Sequence, residues 1–99
     1  MNTNKKTEIL RTVDSALIAR HCNGNTYRFE IGTRVGETTY DIDGMQSYRY
    51  GTIIALGYGT EENMLDNDTP LVVVAFADGT TKTLAARLVD VYTSARRTS

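Results

Sequence analysis

The sequence predicts a mainly β domain that is preceded by an N-terminal amphipathic α-helix, and three observations lead to this fold class. Apolar residues recur at spacings of three and four only in the first 20 residues. From Thr26 onward the apolar period changes to two, and turn residues separate the segments. The chain has 99 residues, of which 40% are apolar and 23% are charged. That composition is typical of one globular domain.

The helix is the first predicted element. Its apolar stripe consists of Ile9, Leu10, Val13, Ala16 and Leu17. These residues would share one face at 3.6 residues per turn. The stripe requires a partner surface, which is either the rest of the domain or a second copy of the chain. We therefore expect residues 1–25 to form a helix and its connection, with a homo-oligomer through this helix as the alternative to packing within one chain.

The segments that follow are predicted to be short strands. In residues 26–31 apolar and charged side chains alternate, which indicates a half-buried strand. Residues 71–77 are apolar on both faces, as expected of a central strand. Asp78-Gly79 is a strong signal for a hairpin turn. Further strands are expected near residues 33–35, 50–57, 80–84 and 88–92, with long loops at 36–49 and 58–70.

Glycines, valines and turn residues follow a recurrent order in this region. The pattern reads Phe29-x-x-Gly32-x-x-Val35, then Gly51-Thr52-Ile53, then Val72-x-Val74-x-Phe76-x-Asp78-Gly79, and ends with Leu84 and Leu88-Val89. It resembles the pattern of SH3-like small β-barrels, such as KOW and Tudor domains. The resemblance implies a barrel of about five antiparallel strands over residues 26–92. It does not imply one function, because this barrel serves many unrelated tasks.

Composition and charge exclude several classes of protein. The formal charge is −1, so the chain as a whole is not a basic nucleic-acid binder. The charge is nevertheless uneven, because residues 21–70 carry three bases and eight acids while both ends are basic. A single cysteine, Cys22, allows no internal disulfide, and with His21 it cannot complete a zinc site. We expect a cytoplasmic protein with no metal, no cofactor and no membrane association.

The sequence offers no catalytic constellation. His21 and Cys22 are adjacent, and neighbouring positions of a helix do not face each other. No second histidine, nucleophile elbow or phosphate-binding loop is present in the sequence. We therefore expect a non-catalytic binding or adaptor module that engages a macromolecule. An enzyme whose site lies at an oligomer interface is the third alternative.

Interleaved aromatic and basic residues predict a nucleic-acid surface, since rings stack on bases while guanidinium groups meet phosphates. Alternation on a strand produces the same pattern through burial alone. Residues 93–99 are expected to form a flexible basic tail that adds two arginines. The candidate binding residues are Arg28, Arg34, Tyr40, Tyr48, Arg49, Tyr50, Tyr58, Lys82, Arg96 and Arg97.

Acidic residues supply the alternative function, which is a protein-interaction module or small inhibitor, such as one from a mobile element. Its acidic surface would bind a basic partner and consists of Glu61, Glu62, Asp66 and Asp68. Asp41 and Asp43 near Tyr40, Tyr48 and Tyr58 suggest a cage for a cationic side chain. Turn formation explains the same aspartates, because their side chains bond the local backbone.

Overall fold

The computed structural model describes residues 6–62 and 66–91, together with the backbone of residues 96–98. Within these residues the chain forms nine strands and no helix. Their bounds are β1 Glu8–Val13, β2 Ala16–Arg20, β3 Thr26–Glu30, β4 Arg34–Tyr40, β5 Gln46–Thr60, β6 Thr69–Phe76, β7 Thr81–Ala85, β8 Asp90–Val91 and β9 Arg96–Thr98.

The strands form two antiparallel sheets. The 15-residue strand β5 is the central strand of the larger sheet. The larger sheet has the order β7-β6-β5-β4-β8. One edge of β5 pairs with β6, while its other edge pairs first with β4 and then with β1. The smaller sheet has the order β2-β3-β9. In the described part of the chain, strands β7 and β8 end the larger sheet and do not pair with each other, so this sheet is open.

Glycines allow β1 to lie against the second half of β5. A Cβ atom at Gly57 would collide with the carbonyl oxygen of Arg11, and one at Gly59 would collide with that of Glu8. Each of these strands also contains a β-bulge. Leu10 in β1 and Ile54 in β5 are extra residues that have no partner in their ladders. Bulges of this kind increase the local twist of a strand. The long strand can therefore change direction and join both halves of the larger sheet.

The core lies between the two sheets. Leu17 and Phe29 project from the smaller sheet, and Ile53, Leu56 and Val72 project from the larger one. All five side chains are almost completely buried. Each large apolar side chain that is buried in this way contributes roughly 1.5–3 kcal/mol relative to an exposed position. The two sheets therefore stabilise each other through one shared core.

A histidine connects the β2–β3 turn to the segment that precedes β8. The Nε2 atom of His21 lies 2.6 Å from the carbonyl oxygen of Val89. Because that oxygen only accepts, Nε2 donates the proton and Nδ1 is left as an acceptor. Nδ1 accepts from the backbone N–H of Asn23 at 3.1 Å. The backbone N–H of Cys22 also donates to the carbonyl of Arg87 at 2.9 Å, which reinforces this connection.

The prediction of a mainly β chain is confirmed, but the predicted N-terminal helix is wrong. Strands β1 and β2 occupy the segment, with a bend at Asp14 and Ser15. In β2, Leu17 and Ala19 are buried while Ile18 is exposed, which is the period of a strand. The helical spacing arises because two short strands are separated by a two-residue bend. The predicted homo-oligomer depended on this helix, so that prediction loses its basis.

The closed barrel of about five strands is also wrong, since the chain forms one open sheet and a second sheet of three strands. The predicted loop at 36–49 is mostly a β4–β5 hairpin whose turn spans 41–45. The β6–β7 hairpin is confirmed, with Gly79 at a φ of 89° in its turn. Strand β9 lies in the segment predicted as a flexible tail. The division into 1–25, 26–92 and 93–99 stays a prediction.

Candidate functional site

The outer face of the β4–β5 hairpin gathers three of the predicted tyrosines. Directly opposite residues of an antiparallel pair share a face, and faces alternate along a strand. Thr38 lies opposite Tyr48, Gly36 opposite Tyr50, and Tyr40 opposite Gln46. The three rings therefore share one face, which Arg34 extends opposite Thr52. We call Arg34, Tyr40, Tyr48 and Tyr50 the tyrosine face.

The tyrosine face is open to solvent. Its rings are 68%, 56% and 49% exposed at Tyr40, Tyr48 and Tyr50 respectively. Gly36 has no side chain opposite Tyr50, and the side-chain amide of Gln46 donates to the hydroxyl of Tyr48. Tyr48 and Tyr50 are two residues apart on one strand, a separation of about 7 Å. A continuous ladder between β4 and β5 holds the backbone positions that carry these rings.

Two predicted cations, Arg49 and Lys82, lie on the opposite, core-side face of the larger sheet. Both donate to the Glu37 carboxylate, whose side chain is only 11% exposed, and the Arg49 contact is 2.9 Å. The Arg49 guanidinium also lies 3.9 Å from the centre of the Phe76 ring and 3.5 Å from Asp78. Burial alone would raise the pKa of Glu37, but hydrogen bonds from Lys82 and Arg49 outweigh it, so this pKa is lowered. The carboxylate thus compensates these cations locally.

The other predicted basic residues are dispersed. Arg28 pairs with Glu30 at 3.3 Å on β3. Strand register places Arg96 opposite Arg28 and Arg97 opposite Tyr27, while their side chains lie outside the described residues. Arg28 therefore belongs to the smaller sheet, away from the β4–β5 hairpin. The structure does not bring the ten predicted residues into one surface.

Tyr58 is separate from the other tyrosines, so the proposed three-ring cage does not form. It lies on the second half of β5, with the Arg11 guanidinium 4.6 Å from its ring centre. Asp41 instead accepts hydrogen bonds from the backbone N–H groups of Asp43 and Met45, at 2.9 and 2.8 Å. These hydrogen bonds are those of an aspartate that stabilises a turn, which was the alternative explanation for this residue. Within the described residues, no group of three His, Cys, Asp or Glu could hold a metal ion.

The four acidic residues do not form one acidic surface either. Glu61 is buried and accepts two hydrogen bonds from Arg87, at 2.6 and 3.0 Å. These bonds raise the pKa of the Arg87 guanidinium. Asp68 pairs with Arg11 at 3.0 Å, and Asp66 accepts a hydrogen bond from Thr69. Glu62, Asp66 and Asp68 are exposed, so Glu61 is the buried member of the four.

Sequence reasoning missed three exposed apolar residues in the β4–β5 turn and in β5. Ile42 and Met45 in the hairpin turn are 99% and 65% exposed, and Ile54 at the β5 bulge is 47% exposed. A signal existed, because isoleucine and methionine are unusual within a polar turn segment. The interpretation of residues 36–49 as a loop concealed that Ile42 and Met45 lie in the turn of a β-hairpin.

No known protein family, curated protein or solved structure matches the chain. The resemblance to SH3-like domains therefore stays a prediction, as do the absence of catalysis and the cytoplasmic location. None of the described segments is a helix with the length and apolar character needed to cross a bilayer.

Proposed function

We propose that this chain is a non-catalytic module that binds single-stranded nucleic acid on its tyrosine face. The observation that carries the proposal is the row of three exposed rings on one face of an open hairpin, beside Arg34. Nucleic-acid modules use rings on a sheet surface in this way, since every base has a face on which an aromatic side chain can stack.

Stacking supplies most of the binding free energy in this proposal. A base on an aromatic side chain contributes about 1–3 kcal/mol, and this contribution tolerates any base. The tyrosine hydroxyls at the ring edges add hydrogen bonds to base edges. A duplex hides the faces of its bases, so single strands are the preferred ligands.

Charge limits the contribution of phosphate contacts. Arg49 and Lys82 lie on the opposite side of the sheet with Glu37, so the cation on the tyrosine face is Arg34 as far as the described residues extend. Each phosphate contact to a single strand changes the logarithm of the binding constant by about −0.7 per logarithm of salt. We therefore expect a shallow salt dependence, of about one contact.

Fluorescence anisotropy with labelled single-stranded and double-stranded DNA and RNA tests this proposal. The Tyr48→Ser, Tyr50→Ser double variant is expected to raise the Kd for single strands at least about tenfold, because two stacking rings are lost. Arg49→Gln, on the opposite face, is the matched control and retains binding. Flat curves at tens of micromolar protein would overturn the proposal, as would equal binding by the double variant.

A protein contact at the hairpin turn is the second candidate function. The exposure of Ile42 and Met45 favours it, because apolar residues exposed together mark protein interaction sites. The simplest partner is a second copy of the chain. Sedimentation velocity at increasing concentration is expected to show association that the Ile42→Ser, Met45→Ser variant abolishes. A monomer at all concentrations would contradict self-association through this turn.

A further inference from the structure

The open edge of the larger sheet borders a groove. Residues 82–85 of β7 form one wall, and residues 36–38 of β4 together with residues 88–90 form the other. The cavity between them has a volume of about 320 Å³. Lys82 reaches from β7 to Glu37 on β4, so an ion pair connects the two walls. The two ends of one sheet thus face each other without joining.

Strand β7 presents backbone hydrogen-bonding groups to this groove. The N–H of Phe76 donates to the carbonyl of Thr80, and the N–H of Ala86 donates to that of Pro70. Hydrogen-bonded pairs alternate along an antiparallel ladder, so Lys82 and Leu84 bond β6 between these two points. Thr81, Thr83 and Ala85 therefore direct their backbone groups away from β6. Of these three, Thr83 and Ala85 line the groove, and the carbonyl of Ala85 already accepts from the N–H of Leu88. In the described part of the chain, β7 pairs with β6 alone.

The groove carries negative charge in addition to the Lys82–Glu37 ion pair. Glu62 and Asp90 line it, and neither has a cationic partner among the described residues. Asp90 instead accepts a hydrogen bond from the neutral hydroxyl of Thr38 at 2.5 Å. Leu84 and the half-exposed Leu88 add apolar surface. A segment that fits here has an extended backbone, positive side chains and some aliphatic side chains.

We infer that the groove binds an extended basic segment of another protein, which adds as a strand to the edge of β7 at Thr81 and Thr83. Exposed sheet edges bind peptides in this way, with the backbone supplying affinity and the side chains supplying specificity. Opposite charges at Glu62 and Asp90 select lysine and arginine. The groove adjoins the tyrosine face at Asp90, which lies opposite Gly36. It takes a different class of partner, so the inference does not rest on the nucleic-acid proposal.

The first test uses a labelled peptide in which lysine and valine alternate, titrated by anisotropy against the full chain. The Glu62→Gln, Asp90→Asn variant is expected to raise the Kd at least about tenfold, since both groups that attract the peptide lose their charge. Asp14→Asn with Asp43→Asn is the matched control, because it removes the same charge elsewhere and leaves the Kd unchanged. Equal weakening by both variants, or equal binding of a glutamate–valine peptide, would overturn the inference.

Backbone pairing is tested with two further peptides that are N-methylated at alternate residues. Each methylated set removes the donors of one strand edge while the charge stays the same. At least one of the two is expected to bind at least about tenfold more weakly, because a strand pairs with its neighbour through alternate residues. Amide shifts on adding the parent peptide should centre on Thr81 and Thr83. Undiminished binding of both methylated peptides would overturn strand addition. The Tyr48→Ser, Tyr50→Ser variant is expected to bind the parent peptide as the wild type does.

Discussion

Glu37 is the residue through which β4, β5 and β7 are tied together on the core side of the larger sheet. Its carboxylate accepts from Arg49 on β5 and from Lys82 on β7. Replacing it by glutamine keeps the size of the side chain, removes the counter-charge of Lys82 and leaves Arg49 with Asp78 alone. We expect Glu37→Gln to lower the free energy of unfolding by about 1 kcal/mol near neutral pH, because the partners are partly exposed.

The pH dependence of stability identifies this contribution. The folded-state pKa of Glu37 lies below its ordinary value of 4.5, so its contribution is fully present above that pH and is lost as pH falls through the lowered pKa. Urea unfolding at neutral pH and near pH 3 should show a smaller stability difference between wild type and Glu37→Gln in acid. Glu30→Gln, which breaks the exposed pair with Arg28, is the control. An unchanged difference in acid would contradict the assignment.

For single residues, the sequence predicted candidate binding side chains, but it did not predict what surrounds each of them in the fold. Arg49 is flanked by two tyrosines, and the pattern was interpreted as one shared surface. Strand alternation instead places Arg49 on the face opposite Tyr48 and Tyr50. Its contact with Phe76 depends on the register between β5 and β6, which local sequence does not specify. Local alternation indicated that Tyr48 and Tyr50 share one face of a strand, but it did not indicate that this face is the exposed one.

The attachment of β1 to the larger sheet depends on glycine at two positions of β5. A Cβ at Gly59 would overlap the carbonyl oxygen of Glu8 and lie 2.8 Å from the backbone nitrogen of Leu10. We expect Gly59→Ala to lower the free energy of unfolding by about 1–3 kcal/mol, because backbone must shift to relieve the overlap. Thr52→Ala, on the exposed face of the same strand, is the control. Faster amide exchange confined to β1 and its β5 partners would locate the effect, and unchanged exchange in β1 would contradict it.

A partly buried ion pair connects the end of β5 to the turn that follows β7. Arg87 donates two hydrogen bonds to Glu61, whose side chain is only 7% exposed. We expect Glu61→Gln to cost about 1–3 kcal/mol, since a charged hydrogen-bonding pair in a partly buried site loses its complement. A double-mutant cycle with Arg87→Gln measures the coupling. Costs that simply add would show that the two side chains act independently.

Elements were predicted well where burial left a clear apolar pattern along the strand. Strand β6 is apolar along its length because both of its faces are largely covered, and the sequence indicated this directly. The β4–β5 hairpin escaped prediction because residues 46–48 are exposed on both faces, so alternation carried no burial signal there. The N-terminal error had another cause. A bulge at Leu10 and the bend at 14–15 shifted the phase of two strands until their apolar residues imitated helical spacing.

The whole molecule unfolds as one unit if its two sheets depend on the same core. Phe29 is fully buried and lies on the small sheet, yet its cluster includes Ile53 and Leu56 of the large sheet. Phe29→Ala is therefore expected to lower the free energy of unfolding by about 3–5 kcal/mol. Because both sheets lose contacts to one cavity, amide protection should fall together in β3 and in the middle of β5.

Hydrogen exchange followed residue by residue distinguishes this cooperative behaviour from independent sheets. Ile18→Ala is the matched control, since Ile18 lies on the same sheet but is 55% exposed, and surface substitutions usually change stability by less than about 0.5 kcal/mol. A loss of protection restricted to β2 and β3 in Phe29→Ala would show that the larger sheet folds without the smaller one. If amide protection falls in both sheets together, the backbone geometry of the tyrosine face and of the groove beside β7 depends on the shared core. In that case a destabilising core variant weakens both proposed binding sites, whereas Tyr48→Ser with Tyr50→Ser affects only one.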